Sequence, residues 1–306
     1  MTAVSLHEVL LAAAVGRGND RIHKAAAAMI RSRTERGKLF LAAERRGSAA
    51  VLMSFLSGIG IVTPPEEYGI REAAARECAV TESMRTTAGN VFAALDEAGI
   101  SFVPLKGADP RMEQGSRVVA NPMDDVDVLV RREDVEEAGD ALERSGFRFI
   151  GAFSGAHVNF VSEDIHPANV EVHWDLVNRE DPVQSALFHP DMTRVWKRME
   201  NVDGRICLGR EDSLCYFAAH AVKEYFRRPK WLADIAFMLE KTGWGRSDGV
   251  SRIADEWGVR PILGLIVAAL IEITGDVRFG RAIGSCALDP GLLERGLAMH
   301  MLRSGG

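Results

Sequence analysis

A chain of 306 residues, 47% of them apolar, is long enough to bury a substantial core and suggests two or three domains. Its formal net charge of −6 argues against a dedicated nucleic-acid surface, which calls for a basic patch or a high pI. The longest apolar run, Ile262 to Ile271 broken by Gly264, is too short to cross a bilayer, so no membrane partner is expected.

Residues 1–99 read as an N-terminal helical region, because LHEVLLAAAV and the long stretch from His23 to Leu56 are rich in Ala, Leu, Met, Arg and Glu. Pro64 and Pro65 punctuate the chain, and Glu66 to Ala98 then reads as one long helix, with Gly69 and Gly89 as candidate breaks. Phe102 to Leu105 has the character of a strand, followed by Gly107 at a turn and a short helix from Ala108 to Gln114 with Pro110 in its first turn. After a loop from Gly115 to Pro122, DVDVLV alternates strictly, with Val126, Val128 and Val130 on one face and Asp125, Asp127 and Leu129 on the other. Glu133 to Ser145 has helical spacing and Gly146 stops it. Phe147 to Ile150 and His157 to Val161 read as strands. They lead into VEVHWD, where Val170, Val172 and Trp174 face one way and Glu171, His173 and Asp175 the other.

Two carboxylates two residues apart on a strand start about 6.6 Å apart and can converge on a metal pair. If the DVDVLV and VEVHWD strands are neighbours, Asp125, Asp127 and Glu171 form a three-carboxylate cluster on a sheet. Charged strand residues usually mark only a solvated face, and a single turn glycine is usually only a turn glycine. Here the acidic strand is otherwise Val and Leu, and it follows a strand–Gly–helix unit whose backbone N–H groups suit a phosphate. Paired carboxylates without a metal also repel one another, so replacing either aspartate is expected to stabilise the metal-free protein slightly.

Leu105-Lys106-Gly107, the run Met123 to Val130, and Val170 to Trp174 resemble the uncharacterised-nucleotidyltransferase group of the DNA polymerase β-like nucleotidyltransferase superfamily. A looser likeness covers His220 to Leu239. The resemblance implies an α+β fold: a mixed β-sheet nucleotidyltransferase core over residues 100–178, flanked by N- and C-terminal helical regions, 1–99 and 179–306. It implies that Asp125, Asp127 and Glu171 are catalytic and hold Mg²⁺ or Mn²⁺, hard ions suited to carboxylate oxygens. It further implies that Lys106, Gly107 and Ala108 meet the outer phosphates of a nucleoside triphosphate. The chain departs from the subgroup's pattern at Asn121, where Arg is usual, and at Asp124, where Gly is usual.

Residues 179–306 return to helices. In EDSLCYFAAHAVKEYFRR, Leu214, Phe217, Ala218, Ala221 and Tyr225 make an apolar stripe, while His220, Lys223 and Arg227 make a basic one. A basic stripe is most often a solvated face, but helices after the core of such enzymes cover the triphosphate, which makes Lys223 and Lys230 nucleotide-binding candidates. His173 shares a strand face with Glu171 and either orients it or is simply a partly exposed strand histidine.

The four cysteines, Cys78, Cys207, Cys215 and Cys286, lack C-x-x-C spacing and read as free thiols of a reducing compartment. With no secretory signal at the N-terminus, the expected location is the cytoplasm. The function expected is metal-dependent transfer of a nucleoside monophosphate from a triphosphate to a small molecule, sugar, peptide or protein, releasing pyrophosphate. Two rivals stand beside it: a catalytically degenerate nucleotide- or partner-binding protein of the same fold, and a hydrolytic carboxylate site. The phosphate cradle argues against the hydrolase, because a glycosidase needs none.

Overall fold

The computed structural model describes residues 4–64, 68–113, 123–162, 167–223, 228–241 and 247–283. The elements run in chain order as α1 (Leu6–Val15), α2 (Asp20–Arg31), α3 (Arg33–Arg45), α4 (Ala49–Gly58), α5 (Tyr68–Glu97), β1 (Phe102–Pro104), β2 (Asp125–Val130), α6 (Val135–Arg144), β3 (Phe147–Ser154), β4 (His157–Ser162) and β5 (Asn169–His173). Then come α7 (Pro182–Leu187), α8 (Met192–Lys197), β6 (Glu200–Val202), β7 (Arg205–Cys207), α9 (Arg210–Lys223), α10 (Pro229–Lys241), α11 (Ser247–Trp257), α12 (Arg260–Thr274) and α13 (Arg278–Ala282). The fold is α+β, and its chain divides into two compact units.

The first unit comprises Met1–Cys78, Val119–Asn121 and Leu214–Gly306, and its described part is helical. Its helix ends are satisfied by side chains. Ser5 and Glu8 form a reciprocal capping box on α1, and Asn19 and Ser32 cap α2 and α3. Ser48 makes no such bond at the start of α4. Instead the carboxylate of Glu77, on α5, accepts from the amides of Ala49 and Ala50 at 3.0 and 2.9 Å. A carboxylate at a helix N-terminus satisfies orphan donors and faces the positive end of the dipole. Of the apolar stripe expected on α9, Leu214, Phe217, Ala218 and Ala221 are buried, and Tyr225 lies outside the described residues.

The second unit comprises Ala79–Val118 and Pro122–Ser213, so it extends on both sides of residues 100–178. Its mixed sheet has the order β1-β2-β5-β4-β3. β2 and β5 are parallel, and the other pairs are antiparallel. Strict alternation in β2 and β5 sends Val126, Val128, Val130, Val170 and Val172 into one core with Val91 and Leu95 of α5 and Leu142 of α6. Each such burial contributes roughly 1.5–3 kcal/mol. One face of the sheet is thereby committed to helices, and the polar residues of the same strands must face the other way.

Two local expectations change. The short helix expected from Ala108 is, among the described residues, a pair of 3₁₀ turns, Lys106–Ala108 and Pro110–Glu113, and Gln114 lies outside those residues. Residues 179–306 also contain a hairpin, β6–β7, among their helices. Its turn is Asp203-Gly204, both at positive φ (51° and 86°), the pattern of a two-residue hairpin loop whose twist matches its strands. The long helix forms unbroken through Gly89.

Candidate metal and nucleotide site

The site is built on the polar face of the sheet. Parallel pairing of β2 with β5 sets Asp127 directly opposite Glu171, and Leu129 opposite His173. Ligand atoms of Asp125, Asp127 and Glu171 therefore gather within 4.8 Å of one another. Asp127 is buried, while Asp125 and Glu171 are half-buried, so the carboxylates do not form an ordinary solvated strand face.

Two basic side chains meet these carboxylates. Lys106 is buried, and its Nζ lies 2.8 Å from Asp127 Oδ1 and 3.6 Å from Asp125 Oδ2. His173 Nε2 lies 2.9 Å from the same Asp127 oxygen and 3.1 Å from Glu171 Oε2. Burial by itself would raise the pKa of Asp127, but the Lys106 charge and the His173 hydrogen bond outweigh it and hold the carboxyl low. Glu171, where the His173 hydrogen bond likewise overcomes burial, is held at about 2. His173 moves the other way: burial disfavours its charge, yet the bonds to Asp127 and Glu171 raise its pKa. The cluster is thus a network of carboxylates and basic groups centred on the buried Asp127.

That network argues against stabilisation of the metal-free protein by replacement of Asp127. The ammonium of Lys106 and the imidazole of His173 already answer the carboxylates, so removing Asp127 leaves both buried groups without their shared partner. His173 is also more than a partly exposed strand histidine, since it is buried and bonded to both Asp127 and Glu171.

Lys106 reaches Asp127 from a backbone at φ 51°, a left-handed conformation that costs a non-glycine residue about 1–2 kcal/mol. Gly107 follows because of crowding: a Cβ there would stand 2.6 Å from Met123 Cγ. The amide of Ala108 donates to the Leu105 carbonyl at 3.0 Å, so that N–H closes the turn. Behind it, Asp109 pairs with Arg111, whose Nη2 also donates to Ser213 Oγ at 2.9 Å.

The remaining sequence-predicted residues are placed as follows. Lys223, at the end of α9, is exposed. Lys230, on α10, holds its ammonium 4.7 Å from the centre of the Trp231 ring. Both belong to the helical unit. Asn121, Arg227 and Cys286 lie outside the described residues, whereas Asp124 is half-buried beside β2.

Two residues of β4 share the polar face and were not singled out from sequence. Antiparallel register puts His157 opposite His173 and Asn159 opposite Glu171. His157 Nε2 is 3.8 Å from Glu171 Oε2, and the two imidazole rings are 4.7 Å apart. Asn159 is buried, and among the described residues its Nδ2 has no hydrogen-bond partner. Alternation in HVNFV already places His157 and Asn159 on one face, but only strand pairing shows which face it is.

The cluster fits a hard divalent cation. Its donors are carboxylate oxygens, and Asp127 Oδ2 is buried with no hydrogen-bond partner among the described residues. No helix of the described residues is long and apolar enough to cross a membrane.

Among curated proteins none matches the chain. A crystal structure of an antigenic nucleotidyltransferase-like protein from Paracoccidioides brasiliensis is similar over 58% of this chain and 88% of that one. The identity is 14% and the TM-score 0.31, a level of likeness that carries no inference. The family model described as uncharacterised nucleotidyltransferase matches residues 33–274, which include the whole acidic cluster and most of both units. By that match the chain belongs to the uncharacterised nucleotidyltransferase family.

Proposed function

We propose that this protein transfers a nucleoside monophosphate from a nucleoside triphosphate to an acceptor hydroxyl and releases pyrophosphate. The observation that carries the reading is the convergence of Asp125, Asp127 and Glu171 on the polar face of one sheet, with an oxygen of Asp127 left unpartnered among the described residues. Asp125 and Asp127 hold Mg²⁺ or Mn²⁺ in this reading. When bound, the ion neutralises charge on the triphosphate and on the departing pyrophosphate. The acceptor oxygen forms a bond to the α-phosphorus, the bond from the α-phosphorus to the bridging oxygen breaks, and the acceptor proton leaves to a base. Glu171 serves as that base or as a third oxygen ligand, and His173 holds it in place at 3.1 Å.

Lys106 is the cation closest to Asp127 and is well placed to turn toward phosphate once a divalent ion takes over the carboxylates. Gly107 and Ala108 keep that lysine's turn close-packed, and any amide contact to phosphate falls to Gly107, since the Ala108 amide is already engaged. By the resemblance alone, Lys223 and Lys230 are proposed nucleotide contacts.

The experiment offers the four common triphosphates with Mg²⁺ or Mn²⁺ and a panel of acceptors, reading pyrophosphate release and, separately, triphosphate binding by calorimetry. Asp125→Asn and Asp127→Asn are expected to abolish release and metal-dependent binding together. Glu171→Gln separates the two roles of that residue. As a base it lowers turnover by roughly a hundredfold or more with binding changed only a few fold; as a ligand it lowers both. Metal-dependent triphosphate binding that persists in both aspartate variants would sink the reading.

A further inference from the structure

We infer that His157, Glu171 and His173 form a second cation site, distinct in chemistry from the three-carboxylate set, that takes a borderline transition-metal ion such as Co²⁺ or Zn²⁺ in preference to Mg²⁺. The three side chains stand on adjacent antiparallel strands, β4 and β5, with His157 and His173 directly opposed and Glu171 two residues away on the same face. Ligand atoms of the three lie within 4.8 Å of one another. Glu171 Oε2 is 3.1 Å from His173 Nε2 and 3.8 Å from His157 Nε2. A tetrahedral ion with bonds near 2.1 Å sets its ligands about 3.4 Å apart, a value these two distances bracket. Two imidazole nitrogens and one carboxylate oxygen are a donor set for borderline metals, whereas Mg²⁺ prefers oxygen and gives up its water reluctantly.

The arrangement also supplies what holds such ligands in place. His173 is buried and its imidazole contacts Asp127 as well as Glu171. His157 is packed against the His173 ring at 4.7 Å. Strands position donors more exactly than loops do, and each of the three donors lies within a strand. An ion here takes the place of the contacts His173 Nε2 now makes with Asp127 and Glu171. Because Glu171 belongs to both sets, occupancy of the histidine site withdraws it from Asp125 and Asp127.

The site does not depend on nucleotidyl transfer, and its test uses no nucleotide. The full chain, stripped of metal with a chelator, is titrated with Co²⁺ while the visible ligand-field spectrum is recorded, with and without excess Mg²⁺. The expected result is one tight Co²⁺ per chain that Mg²⁺ does not displace. His157→Ala and His157→Asn are expected to weaken it by roughly tenfold or more, and Asp125→Asn to change it only a few fold. Cu²⁺ bound to the chain should show magnetic coupling to imidazole nitrogens that is reduced in His157→Ala, a loss that general loosening of the fold does not mimic. Unchanged Co²⁺ affinity in both His157 variants, loss of binding in Asp125→Asn, or an intense near-ultraviolet thiolate band placing the ion on a cysteine would each overturn the assignment. Failure of this site leaves the three-carboxylate reading standing, and the reverse also holds.

Discussion

Each unit of this protein buries a histidine beside a basic side chain, and the two histidines respond in opposite directions. In the helical unit, His7 sits at the start of α1 and accepts a hydrogen bond at Nδ1 from the Arg46 guanidinium. Burial first, and then the Arg46 charge, push its pKa down to about 4, so it is a neutral core residue. In the sheet unit, His173 is equally buried, but Asp127 and Glu171 raise its pKa. The difference lies in the partners. A helix face that presents an arginine leaves imidazole only the acceptor role, whereas a sheet that gathers carboxylates favours its protonated form. Burial therefore says little about charge until the neighbours are known.

The largest effect expected from breaking this contrast is on the charged side. Asp127→Asn keeps the shape of the side chain but leaves Lys106 and His173 without their shared anion. The metal-free protein should lose about 3–5 kcal/mol, the usual consequence of removing one partner of a buried pair. Urea denaturation of the variant against the parent checks it, and equal midpoints would mean that solvent compensates Lys106. Stabilisation would restore the simple view that the carboxylates only repel.

The neutral side makes a pH prediction. His7 has a folded-state pKa near 4 against 6.5 for the ordinary residue, so the unfolded chain binds the extra proton first as the pH falls. The stability contributed by neutral His7 is thus fully present above pH 6.5. It is lost as the pH drops from 6.5 through 4, by about 3 kcal/mol in all. His7→Asn keeps an acceptor for Arg46 but cannot take up a proton. Thermal melts of the two proteins across this window should show a shallower decline for the variant, and parallel declines would remove His7 from the account.

A smaller effect sharpens the same comparison for carboxylates. Glu77 spends its charge on two backbone amides at the start of α4, unlike Asp127, which spends it on side chains. Glu77→Ala should cost about 1 kcal/mol, the scale of a lost helix cap. It should leave metal binding unchanged, because Glu77 and the acidic cluster belong to different units. A fall in the melting temperature with intact metal affinity is the expected pair of readings. No fall at all would mean that water replaces the cap.

Much of the architecture was legible because it depends on local periodicity. Alternation in DVDVLV and VEVHW marked two strands and assigned their polar faces, and the helical run ending at Glu97 formed as one helix. The hairpin at Val202-Asp203-Gly204-Arg205 carried a readable Asp-Gly signal, yet it lay in a region whose composition pointed to helices. The turn after β1 was legible only as a short helix, because its 3₁₀ form follows from long-range contacts: Met123 packing on Gly107 and Lys106 reaching Asp127. Strand pairing is likewise non-local. A single strand records which residues share a face, but the register that sets Asp127 against Glu171 and His157 against His173 exists only once β2, β5 and β4 are side by side. The amino-acid sequence by itself therefore singled out the carboxylates and showed which of them share a face of their own strand. Only the tertiary structure decided which cationic and imidazole groups answer them, because charge compensation in a buried site depends on distances between strands that are remote along the chain.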